Sequence, residues 1–128
     1  LAMKDGGINA EDISYINAHG TSTPAGDVAE TTAVKHALGD AANKVAVSST
    51  KSMLGHQLGA AGSVEAVLCT LAIRDQVAPP TINLDNLAVP SKIDLAPNKK
   101  VKREINLALS NSFGFGGTNA SIVFGKYK

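Results

Sequence analysis

The segment SSTKSMLGHQLGAAG, residues 48–62, places a lysine and a histidine directly in front of a long apolar stretch. The residues that follow, VEAVLCTLAI at 64–73, predict a helix that is apolar on nearly all sides, and such a helix must be covered by other elements. Glu65 is the only charged residue of this helix, and a buried carboxylate needs a partner, for which Lys51 is the candidate. The segment therefore predicts that Lys51 and His56 lie where a polar loop meets a buried helix.

Composition narrows the classes of function. The chain has 128 residues, 44% of them hydrophobic, which predicts one modest domain with a packed core. A net charge of +1 and an aromatic content of 4% do not favour nucleic-acid binding. No apolar run reaches the roughly 18 residues that cross a bilayer, and residues 1–7 contain no signal-peptide pattern. The single cysteine rules out an internal disulfide and favours a reducing compartment.

Short apolar runs alternate with helical patterns along the chain. Strands are predicted at 13–18, 44–48, 105–109 and 120–124, with helices after Asp27 and at 64–73. Asp27 and Glu30 have the spacing of a capping box, and the helix that they start places Val28, Val34, Ala37 and Leu38 on one side and ends at Gly39. Residues 84–104, with Pro90 and Pro97, are predicted as a surface connection. This alternation favours a mostly parallel sheet with helices on its faces, ending in an antiparallel hairpin.

Three polar loops follow predicted strands and are expected at the same edge of the sheet. They carry His19, then Lys51 and His56, and then the sequence SNSFGFGGTN at 110–119. The two histidines are either structural or functional. A zinc site lacks an obvious third ligand, and Cys69 is predicted to fill the core. The Phe-Gly loop precedes a strand and lacks the spacing of a phosphate-binding motif, so a movable aromatic gate is the better interpretation.

The same loops carry a resemblance to a known family. NAHGTSTP at 17–24, KSMLGH at 51–56 and NSFGFGGTN at 111–119 resemble the β-ketoacyl-acyl carrier protein synthases, nearest to the condensing enzymes of type II fatty acid synthesis. The resemblance implies the C-terminal half of a thiolase-like αβαβα layered fold, with a mixed sheet of the five-stranded type. It covers residues 1–128 as one incomplete domain, and it implies that the central first strand of this half is missing and leaves a gap in the core.

The resemblance also implies roles for individual residues. His19 and His56 match the catalytic pair that stabilises the enolate formed when a malonyl thioester loses carbon dioxide, and Lys51 pairs with Glu65. Phe115 matches a gating aromatic between Gly114 and Gly116. Thr21, Thr23, Phe113 and Gly114 match substrate-binding positions, and Asn17, Glu65, Ser110 and Asn111 match a structural monovalent-cation site of some members. The nucleophilic cysteine of the family lies upstream, so this chain alone is expected to be inactive.

Partners and alternatives follow from the resemblance as well. It implies acyl carrier protein, the N-terminal half of the same synthase and a homodimer as partners, in the cytoplasm or an equivalent organelle compartment, without nucleic acid or membrane. No cofactor is expected, because phosphopantetheine arrives on the carrier protein. A non-catalytic chain-length subunit and a polyketide ketosynthase domain remain alternatives, and the residue at the upstream nucleophile position, cysteine or glutamine, distinguishes catalyst from partner subunit.

Overall fold

The computed structural model describes residues 1–87 and 92–127. In these ranges the strands and helices follow in the order α1 (Ala2–Gly6), β1 (Ile13–Asn17), α2 (Pro24–Leu38), β2 (Ala46–Ser48), α3 (Lys51–Leu54), α4 (Ala61–Asp75), β3 (Val77–Ala78), β4 (Val101–Lys102), β5 (Leu107–Phe113) and β6 (Asn119–Gly125). Short 3₁₀ turns connect several of them. None of the helices in these two ranges is long and apolar enough to span a membrane. Pro90 of the predicted connection lies outside the described residues.

The main sheet has the strand order β2-β1-β5-β6. β1 is parallel to β2 and to β5, and β5 and β6 form the predicted antiparallel hairpin. The described part of the chain thus forms a four-stranded sheet rather than a five-stranded one. The gap expected in its core is not present, because β1 and β5 are hydrogen-bonded neighbours with a register shift between Ile13 and Tyr15. The prediction of a mixed sheet with helices on its faces is confirmed.

Neighbouring residues of β1 point to opposite faces of this sheet, as the pleat requires. Ile16 packs with Val34 and Leu38 of α2, while Tyr15 packs with Cys69 and Ile73 of α4. One helix therefore covers each face.

Helix α2 differs from its prediction at its start. It begins three residues before Asp27, with Pro24 in its first turn, and Thr23 is the N-cap whose side chain accepts a hydrogen bond from the Gly26 N–H. The Asp27–Glu30 capping box is therefore wrong. Asp27 accepts from the Ser22 N–H instead, and Glu30 is buried.

The end of β5 and the buried face of α2 also differ from prediction. Strand β5 runs to Phe113, so the predicted ten-residue loop shortens to a tight turn around Phe115–Gly117. The predicted buried face of α2 is narrower than expected, since Val28 and Ala37 are exposed. β5 is longer than predicted because all of its residues pair with β6. Strand propensity along the chain does not reveal which residues will find a partner strand.

Helix α4 is covered on one side only. Its buried residues Glu65, Cys69 and Ala72 face the sheet, while Val67 is 59% exposed. Leu54 and Leu58, which precede α4, are also largely exposed. No second layer of the described chain packs against the outer face of α4, so the expected cover on most sides is not supplied by residues 1–87 and 92–127.

Candidate functional site

Two loops bring the histidines together at the carboxyl edge of the sheet. The β1 loop, residues 18–23, follows β1, and the β2 loop, residues 49–57, follows β2. Because Asn17 and Ser48 are register partners in parallel strands, the two loops leave the sheet side by side. The ring centroids of His19 and His56 lie 5.5 Å apart, with an angle of 85° between the ring planes. Phe113 at the end of β5 adds a third ring, 5.8 Å from that of His19.

His56 is oriented through its ring. It lies in the exposed segment between α3 and the 3₁₀ turn that leads into α4, and its Nδ1 accepts a hydrogen bond from the backbone N–H of Leu58 at 3.2 Å. A ring nitrogen that accepts a hydrogen bond carries no proton, so in the neutral ring the hydrogen is on Nε2. His56 therefore offers an N–H donor from Nε2.

His19 is oriented through its backbone. Its N–H donates to a carboxylate oxygen of Glu30 at 3.0 Å, and the N–H of Gly20 donates to the other oxygen at 2.8 Å. The Nδ1 atom of the ring is enclosed and has no hydrogen-bond partner among the described residues, which leaves Nε2 to meet a ligand. Burial lowers the pKa of His19, and the charges of Lys51 and His56 lower it further. The ring is thus held in its neutral form at pH 7.

A buried ion pair lies close enough to His19 to act on its charge. The Nζ atom of Lys51 contacts Oε1 of Glu65, and both side chains are almost fully buried. The predicted pairing of these residues is therefore present in the structure. Oε2 of Glu65 has no partner among the described residues, so the carboxylate is only half satisfied.

Glu30 is a site residue that the sequence analysis missed. Besides the two backbone donors of the β1 loop, its Oε1 accepts from Nδ2 of Asn111 on β5 at 3.2 Å. The residue is 7% exposed. Its spacing from Val34 and Leu38 places it in the buried stripe of α2, and a carboxylate in such a stripe was the signal that could have identified it.

The predicted substrate-binding threonines lie at a cavity of about 650 Å³ between the loops, α2 and the segment 81–87. Thr21, Thr23, Lys51 and His56 all contribute to its walls. The hydroxyl of Thr23 also caps α2, as described above. The cavity opens to solvent, and His56 is the member of the histidine pair that contributes to its wall.

Phe113, at the end of β5, lies against His19, whereas Phe115 belongs to the turn that follows. Phe115 is fully exposed, and its turn is built on Gly116 and Gly117, whose φ angles of 79° and 82° favour glycine. Gly114 has an ordinary extended backbone, but a Cβ there would lie 3.0 Å from the carbonyl oxygen of Thr118. The gating role of Phe115 stays a prediction.

The four residues expected at a cation site are all buried. The Asn111 amide makes two side-chain hydrogen bonds, since its Nδ2 donates to Glu30 and its Oδ1 accepts from Ser121 at 2.7 Å. Asn17 exchanges hydrogen bonds with Thr50. No cluster of three or more His, Cys, Asp or Glu side chains suited to a metal occurs in residues 1–87 and 92–127. The monovalent-cation site stays a prediction.

Cys69 is a core residue, as predicted. It is completely buried in the cluster around Tyr15, and burial, together with the charge of Glu65, raises the pKa of its thiol to about 12. A thiol of this kind is protonated at neutral pH and does not act as a nucleophile.

Comparisons with known proteins agree with this geometry. The profile of the beta-ketoacyl synthase C-terminal domain matches residues 1–85. The 3-oxoacyl-[acyl-carrier-protein] synthase 2 of Rhizobium meliloti is 61% identical over 127 residues, which are 99% of this chain and 30% of that protein. The synthase 2 of Vibrio cholerae is 58% identical over 125 residues, again 30% of its length. The chain thus spans about a third of the curated relatives it matches.

Solved structures show the same fold. A ketosynthase in complex with its type II polyketide acyl-carrier protein superposes with a TM-score of 0.94 at 38% identity, covering 99% of this chain and 31% of that one. A beta-ketoacyl synthase from Burkholderia phymatum gives 0.92 at 36% identity, covering all of this chain and 31% of that one. The matched profile, the relatives and the shared thiolase-like architecture lead to one conclusion: the chain belongs to the β-ketoacyl synthase family, as part of its C-terminal domain.

Proposed function

We propose that this chain is the C-terminal part of a 3-oxoacyl-acyl carrier protein synthase and supplies the groups that decarboxylate malonyl-carrier protein during fatty acid elongation. The observation that carries the proposal is the pair of perpendicular imidazole rings 5.5 Å apart at the carboxyl edge of the sheet. The relatives with 58–61% identity support fatty acid synthesis as the setting.

The proposed chemistry places negative charge between the two rings. When the malonyl thioester reacts, the bond between its carboxylate carbon and the neighbouring methylene carbon breaks, and carbon dioxide leaves. The electron pair moves toward the thioester oxygen and forms an enolate. N–H donors from His19 and His56 stabilise this oxygen more strongly in the transition state than in the ground state. The enolate carbon then attacks the carbonyl carbon of an acyl thioester on the upstream cysteine. The new carbon–carbon bond forms, the thioester carbon–sulfur bond breaks, and the cysteine leaves as a thiolate.

The Lys51–Glu65 pair supports this role electrostatically. Burial lowers the pKa of His19 most, and the ammonium of Lys51 lowers it further, while Glu65 acts in the opposite direction. A lower pKa favours the neutral imidazole, which keeps one N–H donor and carries no charge. The pair is fixed because two buried charges hold each other in a low-dielectric setting. Lys51 therefore adds to the effect of burial on His19 without needing to touch the substrate.

The nucleophile and the partners lie outside this chain in the proposed enzyme. Cys69, the single cysteine, is unsuited to hold the acyl group. The exposed apolar side chains of Leu54, Leu58 and Val67 fit an N-terminal half packed against α4. Acyl carrier protein is the proposed donor of both thioesters, and a polyketide ketosynthase with such a partner shares this fold. The homodimer, the cytoplasmic location and the lack of a resident cofactor stay predictions of the resemblance.

The test uses a full-length synthase, meaning a protein of the relatives' length that carries this sequence as its C-terminal part. His19→Ala and His56→Ala are each expected to slow release of carbon dioxide from malonyl-carrier protein by about 10²–10³-fold, because each removes one donor to the enolate. Transfer of an acyl group to the cysteine should change little. His36→Ala, which removes an exposed histidine of α2, is the matched control. Normal condensation by either of the first two variants would overturn the proposal.

A polyketide ketosynthase is the second candidate, since the superposed structures with TM-scores of 0.92–0.94 include such an enzyme. The two candidates differ in the acyl substrate rather than in the decarboxylation. Competition between a saturated acyl-carrier protein and a β-ketoacyl one distinguishes them. Preference for the saturated chain supports the fatty acid synthase.

A further inference from the structure

We propose that Ser49 is a positioning residue that fixes the β1 loop, and with it the ring of His19, against the β2 loop. The inference rests on the proposed function, because it concerns the same decarboxylation. Ser49 is the first residue after β2 and is 8% exposed, although its side chain is polar. A buried hydroxyl of this kind must find a hydrogen-bond partner.

The partner of this hydroxyl is the loop that carries His19. Oγ of Ser49 donates to the carbonyl oxygen of Gly20 at 2.7 Å, a short hydrogen bond between the two loops. Glu30 holds the N–H of Gly20 from the other side. Gly20 is thus held at both its N–H and its carbonyl group, and the peptide groups on either side of it cannot turn freely.

The two loops are also packed closely against each other at this point. Gly20 has φ of +41°, and a Cβ added to it would lie only 2.6 Å from Cβ of Ser49. The absence of a side chain at Gly20 is therefore what allows Ser49 to come close enough to donate. The contact sets the separation of the loops one residue after His19.

The backbone of Ser49 connects this contact to the rest of the site. Its N–H donates to Oγ1 of Thr81 at 3.0 Å, and its carbonyl oxygen accepts from the hydroxyl of Ser52 at 2.8 Å. Ser52 in turn accepts from the N–H of Ile82 at 3.0 Å. Ser49 therefore joins three segments, of which one carries His19, one carries Lys51 and His56, and one forms a wall of the cavity.

The role predicts a selective kinetic effect. Ser49→Ala in the full-length synthase should lower kcat for malonyl-carrier protein decarboxylation about three- to tenfold, the loss expected for one hydrogen bond, with KM within about twofold of wild type. Acyl transfer to the cysteine should stay within about twofold. Ser49→Cys keeps the size of the side chain with a weaker donor, and should show the same selective loss if Ser49→Ala folds poorly.

Ser63→Ala is the matched control. It also removes one serine hydroxyl, but from an exposed position on α4 outside the contacts of Ser49, so decarboxylation should stay within about twofold of wild type. Wild type is measured first: a wild-type synthase that does not decarboxylate malonyl-carrier protein would overturn the proposed function itself. If wild type is active, equal losses in both half-reactions, unchanged decarboxylation in Ser49→Ala, or an equal loss in Ser63→Ala would each overturn the positioning role alone.

Discussion

The β1 loop and the β2 loop both present a histidine to the same space, but different buried carboxylates hold them. Glu30 accepts hydrogen bonds from neutral donors, two of them backbone N–H groups of the β1 loop. Glu65 instead pairs with the charged side chain of Lys51 in the β2 loop and keeps one oxygen without a partner. One loop is thus held through its main chain and the other through a charge, and the two should fail differently when mutated.

The largest effect on stability is expected from breaking the Lys51–Glu65 ion pair. Lys51→Met leaves the carboxylate of Glu65 buried and unpaired, which should lower the free energy of unfolding by about 3–5 kcal/mol. The double variant Lys51→Met/Glu65→Leu removes both charges and should recover the larger part of that loss. Urea unfolding of the chain followed by circular dichroism measures both values. Lys99→Met, at an exposed site, is the control, and an equal effect there would contradict a buried ion pair.

The close approach of the two loops gives the next effect. Gly20→Ala introduces a side chain at φ of +41° and places its Cβ against Ser49, which should cost about 2–4 kcal/mol from backbone strain and crowding. Gly59→Ala is the matched control, because nothing lies within 4 Å of a Cβ at that position. The same urea experiment compares them. Equal stabilities of the two variants would show that the loops are not in contact.

The hydrogen bonds of Glu30 to the main chain of the β1 loop should contribute less to stability than the Lys51–Glu65 ion pair. Glu30→Gln keeps the size of the side chain but turns one of its two acceptor oxygens into a donor that faces a backbone N–H. A loss of about 1–3 kcal/mol is expected, the range for an unsatisfied buried donor. Glu11→Gln, on an exposed 3₁₀ turn, serves as control. A larger loss of stability in Glu30→Gln than in Lys51→Met would contradict the expected order of these two carboxylate contacts.

The smallest effect concerns pH. Because burial, and then the charges of Lys51 and His56, lower the pKa of His19 in the folded chain, the unfolded chain binds this proton first as the pH falls. Its contribution to stability is therefore complete above the ordinary value of about 6.5 and declines below it. Wild type should lose more stability than His19→Gln between pH 7 and pH 5 in urea unfolding. Parallel pH profiles would mean that the ring is solvated in the folded state.

Much of the architecture followed from local pattern. The apolar runs around Tyr15 and Val47 identified two parallel strands, and the residues after each run identified the loops that carry His19 and His56. The hairpin at the end was also predicted, although its first strand is longer than expected. The start of α2 was predicted wrongly. Asp27 and Glu30 have the spacing of a capping box, but Thr23 and Pro24 define the actual start of the helix.

The sequence by itself determined the order of strands and helices and the residue types at the strand ends, because those depend on neighbours along the chain. Only the tertiary structure decided that β1 and β5 pair directly, that the two rings lie 5.5 Å apart, and that Glu30 holds the β1 loop rather than a helix end. These features join residues far apart in sequence through hydrogen bonds and packing. Their energies depend on distances that no local pattern specifies.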